Sequence, residues 1–251
     1  MSGAIRLLHL TDTHLLGDKQ ATLRGVQPYE TLLAVRAHAA NHFENIHGTL
    51  LTGDLVHDDQ HGYALIHDVF KDSTTPVYCI PGNHDVPEVM YKTLSDTPFN
   101  VAQVNEIGNW IIVLINTWIA HTADGEINDD QLSEIDDLLA EYANHHALLC
   151  MHHHPIPMGS TWLDRVALRD ATEFRECLSR HANVRGVLWG HVHQAMDTTL
   201  NNVHYMSTPS TCAQFLPNST NFAVDSKPPG YRTLELMPDG SIKTNVNWLT
   251  H

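Results

Sequence analysis

The sequence predicts a layered α/β fold in which two sheets pack together in a single domain, residues 1–251. Three features carry the prediction. Short apolar runs alternate with amphipathic segments of helical period through most of the chain. The part from about residue 203 to 251 is β-rich, and is expected to complete the second sheet. No internal repeat or low-complexity linker divides the 251 residues, which suffice for one sizeable core.

The elements follow in order. "AIRLLHL" (4–10), "GTLLTG" (48–53), "PVYCIPG" (76–82), "NWIIVLINT" (109–117), "HALLCMHH" (146–153) and "VRGVLWG" (184–190) read as strands, being short, apolar and bounded by Gly, Pro, Asn or Asp. Between them, Pro28 opens a helix with Leu32, Val35, Ala39, Ala40 and Phe43 on one stripe. Asn128 or Asp129 can cap a second, with Leu132, Ile135, Leu138, Leu139 and Tyr142 at helical spacing, and Asp170 can cap a third over 171–181. These stripes read as core faces. Towards the C-terminus, "VHYMSTPS", "YRTLELMP" and "SIKTNVNWL" are strands, the last two flanking Asp239–Gly240, a strong hairpin signal.

Composition narrows the function. The longest apolar run, "WIIVLINTWIA", is too short to span a bilayer, so no membrane partner is expected. The N-terminus does not read as a signal peptide, which predicts a cytoplasmic location. The four cysteines, Cys79, Cys150, Cys177 and Cys212, are far apart and form no CxxC, as buried thiols would be. A formal net charge of −15 argues against binding a nucleic-acid polymer, which needs a basic face. The 20 histidines leave that balance unchanged at neutral pH, but they are common metal ligands.

The polar residues with most chemistry stand where apolar strands end. "LLHL" runs into Asp12 and His14, "TLLT" into Gly53 and Asp54, and "VYCIP" into Asn83, His84 and Asp85. "ALLCM" runs into His152, His153 and His154, and "GVLW" into His191 and His193. Any one block alone is ordinary turn chemistry. Five blocks, each beyond the carboxyl end of a strand, can converge on one crevice. The donors are oxygen and nitrogen without thiolate, a set suited to Fe, Mn, Zn, Co or Mg. About seven of them exceed what one tetrahedral ion takes, and fit two ions sharing a carboxylate. Two-metal sites serve phosphoester displacement and bring positive charge into an acidic protein.

The blocks D-x-H, G-D, G-N-H-D, H-H-x-P and G-H-x-H, in this order from Asp12 to His193, resemble the calcineurin-like metallophosphoesterases. "STPSTCAQFLP" and "PPGYR" extend the resemblance to the bacterial class III 3′,5′-cyclic AMP phosphodiesterases. The resemblance implies a four-layer α/β/β/α sandwich with a dimetal centre at the strand ends. It implies one ion on Asp12, His14, Asp54 and His193, and a second on Asp54, Asn83, one histidine of the triplet and His191. Fe with Fe, Mn or Mg is the implied pairing, with Zn or Co as alternatives. His84 is then the catalytic residue facing the scissile phosphate, Asp85 supports it, and His14, Asn83, His84 and His193 contact substrate.

Aligning H-H-x-P on Pro155 makes His152 the ligand of the triplet. Strand neighbours point to opposite faces, so His153 should point away or support the site. His154 then reads as a loop residue before proline. The purple acid phosphatases of the superfamily carry a tyrosine ligand where this chain has His57, so a purple iron centre is not expected.

The implied reaction is hydrolysis of 3′,5′-cyclic AMP to 5′-AMP by metal-activated hydroxide, with His84, when protonated, donating to a phosphate oxygen. Segments "NTW", "HTADGE", "STPSTC" and "PPGYR" could line a base slot; Trp118 and Phe215 read first as core or loop packing, with stacking on adenine as the alternative, and Arg232 as holding a local carboxylate rather than substrate. The alternatives are another small diester, such as a glycerophosphodiester or a 2′,3′-cyclic nucleotide, and a non-catalytic scaffold. The sequence leaves oligomeric state open, a homodimer included.

Overall fold

A computed structural model describes residues 3–249. In chain order the elements are β1 (Ile5–Leu10), α1 (Pro28–His42), β2 (Gly48–Thr52), α2 (Gly62–Phe70), β3 (Val77–Ile80), α3 (Pro87–Thr93), β4 (Phe99–Asn100), β5 (Val104–Ile107) and β6 (Trp110–Leu114). There follow α4 (Asp129–Glu141), β7 (His146–Met151), α5 (Ala171–Ser179), β8 (Val184–Trp189), β9 (Met196–Leu200), β10 (Val203–Ser207), β11 (Gln214–Phe215), β12 (Val224–Asp225), β13 (Gly230–Leu236) and β14 (Ile242–Trp248).

Two six-stranded sheets form, in the orders β14-β13-β1-β2-β3-β4 and β5-β6-β7-β8-β10-β9. The central strands of each are parallel, and antiparallel strands close three of the four edges. Apolar residues of the inner strands alternate between two layers. Trp110, Ile112, Leu114, Leu148, Cys150 and Leu188 meet Leu7, Leu50, Tyr78 and Ile80 between the sheets. Their neighbours Ile111, Val113, Leu149 and Met151 face α4 and α5, while Leu8, Leu10 and Leu51 face α1, α2 and α3. Burial on both faces is why these strands read as continuous apolar runs rather than alternating ones. Three apolar layers thus separate four layers of structure, α/β/β/α.

The C-terminal part departs from expectation. Only β10 extends the second sheet; β13 pairs antiparallel with β1 and, with β14, completes the first. The Asp239–Gly240 turn forms between β13 and β14, with Gly240 at φ +85 and Asp239 Oδ1 accepting from the Ser241 N–H at 2.9 Å. Residues 250 and 251 of the expected range lie outside the described residues.

Polar clamps tie the two sheets together. Buried His9 on β1 spans Thr52 and Thr208, at 2.6 Å from each. Arg232 on β13 is buried, donates to the Ser207 and Met196 carbonyls, and pairs with Asp197 at 2.8 Å. Arg232 therefore does hold a local carboxylate, and "PPGYR" serves the sheet contact rather than a base slot.

Helix ends refine three assignments. Asn128 caps α4 in a capping box with Gln131. Asp170 precedes α5, but its side chain accepts from the Ile127 N–H instead of capping. On α1, Ala40 is exposed, since one helical step of about 100° carries it off the buried stripe of Leu32, Val35 and Ala39. The four cysteines are free and buried. Among the described residues, no helix is long and apolar enough to cross a membrane.

Candidate metal centre

The carboxyl ends of β1, β2, β3, β7 and β8 deliver their polar residues to one place. After β1, β2 and β8 the chain leaves the sheet through sharp turns. Asp12, His14, Asp54, His191 and His193 all adopt left-handed backbone, with φ between +48 and +66. That conformation is uncommon for residues with a Cβ and is held only where surroundings enforce it. Gly53 has φ +92, and a Cβ there would lie 2.4 Å from His152 Nδ1, so the turn beside Asp54 requires glycine.

Two donor groups share Asp54. In the first, His14 Nε2 lies 3.0 Å from His193 Nε2 and 3.7 Å from Asp54 Oδ2, and His193 Nε2 lies 3.2 Å from Asp12 Oδ1. In the second, His152 Nε2 lies 3.4 Å from Asp54 Oδ1 and 3.2 Å from Asn83 Oδ1. The His191 ring stands 5.1 Å from that of His152, and its backbone N–H donates to Asp12 at 3.0 Å. Bonds of about 2.1 Å to one ion place neighbouring donors about 3–3.5 Å apart, close to the spacings in the first group and among Asp54, Asn83 and His152 of the second, while His191 has a ring nitrogen within 4.8 Å of nitrogens of His152 and His153.

Hydrogen bonding fixes which nitrogen faces the centre. His152 Nδ1–H donates to the Thr52 carbonyl at 2.8 Å, and His193 Nδ1–H to the Ala213 carbonyl at 2.6 Å. Each Nε2 then faces carboxylate or amide oxygens, where a cation can take the place of a proton, and the carbonyl on the other nitrogen orients the ring as it does for ligands in metal sites. Burial holds His14 neutral by lowering its pKa well below the ordinary value, against the pull of Asp54. His191 is lowered by burial and by His153, His152 and His154. At His152 burial acts the same way, but the charge and hydrogen bond of Asp54, with Asp12 and the Thr52 carbonyl, outweigh it and raise the pKa to about 9. The field that draws a proton there draws a divalent cation equally.

Asp85 is buried and joins two of the turns. Its carboxylate accepts from Leu55 N–H (3.1 Å), Val56 N–H (3.3 Å), Gly82 N–H (2.8 Å) and Tyr63 O–H (2.8 Å). His84 donates its backbone N–H to Asp54 Oδ1 at 2.9 Å. Its ring Nδ1 lies 3.1 Å from both oxygens of Asp58, which leaves Nε2 for substrate. His84 and Asn83 line an open cavity of about 880 Å³, with Val86, Trp118, His121 and Thr122 on its walls. That volume lies within the range of small-molecule sites.

Sequence reasoning missed Asp58; its only signal was the acidic pair that follows "GDLVH". It also missed His57 as a partner of His14, their Nδ1 atoms 3.1 Å apart. His154 is, as expected, a residue outside helix and strand that precedes Pro155, but it is fully buried, stacks over His191 at 5.6 Å and lies 3.6 Å from Asp164, in a stretch that stays buried from His152 through Ile156. Phe215 is not free to stack on a base. It lies flat on His193 at 3.8 Å and packs against Trp162 and Phe222. "STPSTC" braces the Asp12 turn, through Ser210 Oγ–H to the Asp12 carbonyl at 2.7 Å.

A four-layer fold with this donor set at its strand ends defines the class, a metallophosphoesterase. The family model described as calcineurin-like phosphoesterase matches residues 5–195, and the chain belongs to that family. It is 37% identical to the 3′,5′-cyclic adenosine monophosphate phosphodiesterase of Escherichia coli strain K12, over 98% of this chain and 90% of that protein. It is 32% identical to a 3′,5′-cyclic-nucleotide phosphodiesterase of Nostoc, over 96% of this chain and 91% of that one. A dimetal phosphatase from Danio rerio shares the fold with a TM-score of 0.68 at 11% identity, covering 99% of this chain and 100% of that one.

Proposed function

We propose that the protein is a dinuclear metallophosphodiesterase that hydrolyses 3′,5′-cyclic AMP to 5′-AMP. The observation that carries this reading is the division of Asp54, one oxygen facing each donor group, with His84 beside it at the mouth of a nucleotide-sized cavity. The cyclic-AMP part is supported by the names of relatives aligned over nearly the whole chain.

In this reading Asp12, His14, Asp54 and His193 hold one ion, and Asp54, Asn83, His152 and His191 the other. Fe with Fe, Mn or Mg suits these donors, as do Zn and Co. When bound, the ions activate water for in-line attack and neutralise phosphoryl charge. The chain's own residues do the rest. His84 holds a proton on Nε2 toward the phosphate or the leaving O3′, so that the P–O3′ bond breaks as the ribose hydroxyl forms. Asp58 accepts from His84 Nδ1–H and orients the ring, so donation from Nε2 is made by the imidazolium, which carries a proton on both nitrogens. Trp118 offers the base an aromatic face on the cavity wall. Four free cysteines suit the reducing cytoplasm.

The test is a diester panel on metal-loaded protein: 3′,5′-cyclic AMP, 2′,3′-cyclic AMP, a glycerophosphodiester and an aryl diester. The expected result is preferred turnover of 3′,5′-cyclic AMP with 5′-AMP as product. Turnover of the aryl diester without cleavage of 3′,5′-cyclic AMP would assign the site to another small diester.

A further inference from the structure

The second histidine of the triplet takes no part in the scheme above, yet it is fully buried against both the donor cluster and the cavity wall. Its ring packs 4.9 Å from His152 on one side and 4.8 Å from His191 on another. Away from the donors, His153 Nδ1 lies 2.7 Å from Thr117 Oγ1, and Thr117 is itself buried. Thr117 begins a loop that closes on itself, since the Glu126 N–H donates to the Thr117 carbonyl at 3.1 Å. The segment between includes Trp118, His121 and Thr122 on the cavity wall.

The far end of the loop presses on the same ring. Gly125 sits so close that a Cβ would lie 2.2 Å from His153 Nδ1 and 2.4 Å from its Cγ. Gly125 is held there by its N–H to the Ala167 carbonyl (3.3 Å) and by the Arg169 N–H to its own carbonyl (2.9 Å). The Arg169 guanidinium spans Asp124 and Glu126. Both ends of the loop therefore converge on one imidazole, which also touches two residues assigned to the second ion.

We propose that His153 is a positioning residue that fixes the Thr117–Gly125 wall of the substrate cavity against the metal centre, and so sets affinity for the nucleoside part of the substrate. The choice of nucleotide rests on the function proposed above; the role of His153 in holding the wall does not. The wall contacts the non-reacting end of the substrate. Loosening it removes binding that ground and transition states share, which raises KM and leaves kcat in place.

The experiment uses metal-loaded full-length protein with His153→Ala, His153→Asn and Thr117→Val. For each, KM and kcat are measured on 3′,5′-cyclic AMP and turnover on a base-free aryl methyl diester, with metal stoichiometry and backbone hydrogen exchange over 118–124. His153→Ala and Thr117→Val are expected to raise KM for the nucleotide about fivefold to tenfold, the weight of one net hydrogen bond. The kcat should stay within about twofold, the aryl diester and metal content should be unaffected, and exchange in 118–124 should quicken. His153→Asn, which can still bond Thr117, should restore most of the affinity and protection. Wild-type KM and exchange in Thr117→Val would overturn the proposal, as would metal loss in both His153 variants with exchange unchanged. If the wild type cleaves the aryl diester but no cyclic nucleotide, the substrate reading fails, and exchange in Thr117→Val against wild type still decides the role of His153.

Discussion

Replacing Asp85 with asparagine tests how the turns that carry Asp54 and Asn83 are held together. The change is isosteric, so it opens no cavity. One oxygen of Asp85 accepts from Leu55 N–H and Gly82 N–H, the other from Val56 N–H and Tyr63 O–H. Whichever way an asparagine amide turns, its NH2 faces two donors, and rotation of the tyrosyl hydroxyl gives no relief because it already accepts from the Val86 N–H at 2.8 Å. Two buried donors left unpaired cost about 1–3 kcal/mol each, or about 2–6 kcal/mol together. At about 2–4 °C per kcal/mol for a chain of this size, a loss of about 3 kcal/mol lowers Tm by about 6–12 °C. The assay is thermal unfolding of chelator-treated protein at pH 8. There the Asp85 carboxyl, pushed up to about 6 by burial and the charge of Asp54, is ionised in the wild type. The second ion should also bind more weakly in the variant, since Asn83 loses its support. A Tm within about 2 °C of wild type, with two ions retained, would refute the reasoning.

Other variants separate the roles of neighbouring residues. His152→Ala should lose the second ion and turnover together, by elemental analysis and diester assay, whereas His154→Ala should keep both ions and lose stability, since its buried ring packs on His191. His84→Ala should lower kcat by about 10²–10⁴ with metal content intact, and Asp58→Asn by about tenfold at most, because Asp58 is largely exposed and its bond to His84 is screened. Asp197→Asn strips the buried Arg232 of its partner and should cost about 2 kcal/mol in chemical denaturation, less than a fully buried pair because Asp197 is 44% exposed. Burial opposes ionisation of Asp197, but His204 and Arg232 outweigh it and lower its pKa. The wild type should therefore lose that stability as pH falls below the ordinary carboxylate range through the lowered value, and the variant should not.

The donor cluster was legible because its signal is local. A wholly apolar run that ends abruptly in Asp, His or Asn marks both a doubly covered strand and the crevice at its end, and the five blocks needed no knowledge of strand order. Which sheet received β13 and β14 was not legible. Strand pattern alone does not say which edge a hairpin joins; β13 pairs with β1, and Arg232 reaches from it to Asp197 of the other sheet, a contact 35 residues away in sequence. Asp58 was hidden for a related reason. In sequence it is one of two aspartates in a solvated turn, and only its left-handed backbone, φ +56, brings the carboxylate to His84. The triplet shows the limit of strand alternation. His152 and His153 both lie beyond Met151, the last residue of β7, so alternation does not part them: their rings stay 4.9 Å apart and a nitrogen of each lies within 4.8 Å of one on His191, while the loop on the far side of His153, from Thr117 to Gly125, is 28 to 36 residues away in sequence.

The most direct test is a metal titration of the chelator-treated protein, with 5′-AMP formation from 3′,5′-cyclic AMP as the readout. The account predicts that turnover rises until two equivalents of ion are bound per chain, and that 5′-AMP is the product. Saturation at one equivalent, or turnover that survives the chelator, would contradict a centre in which Asp54 serves two ions.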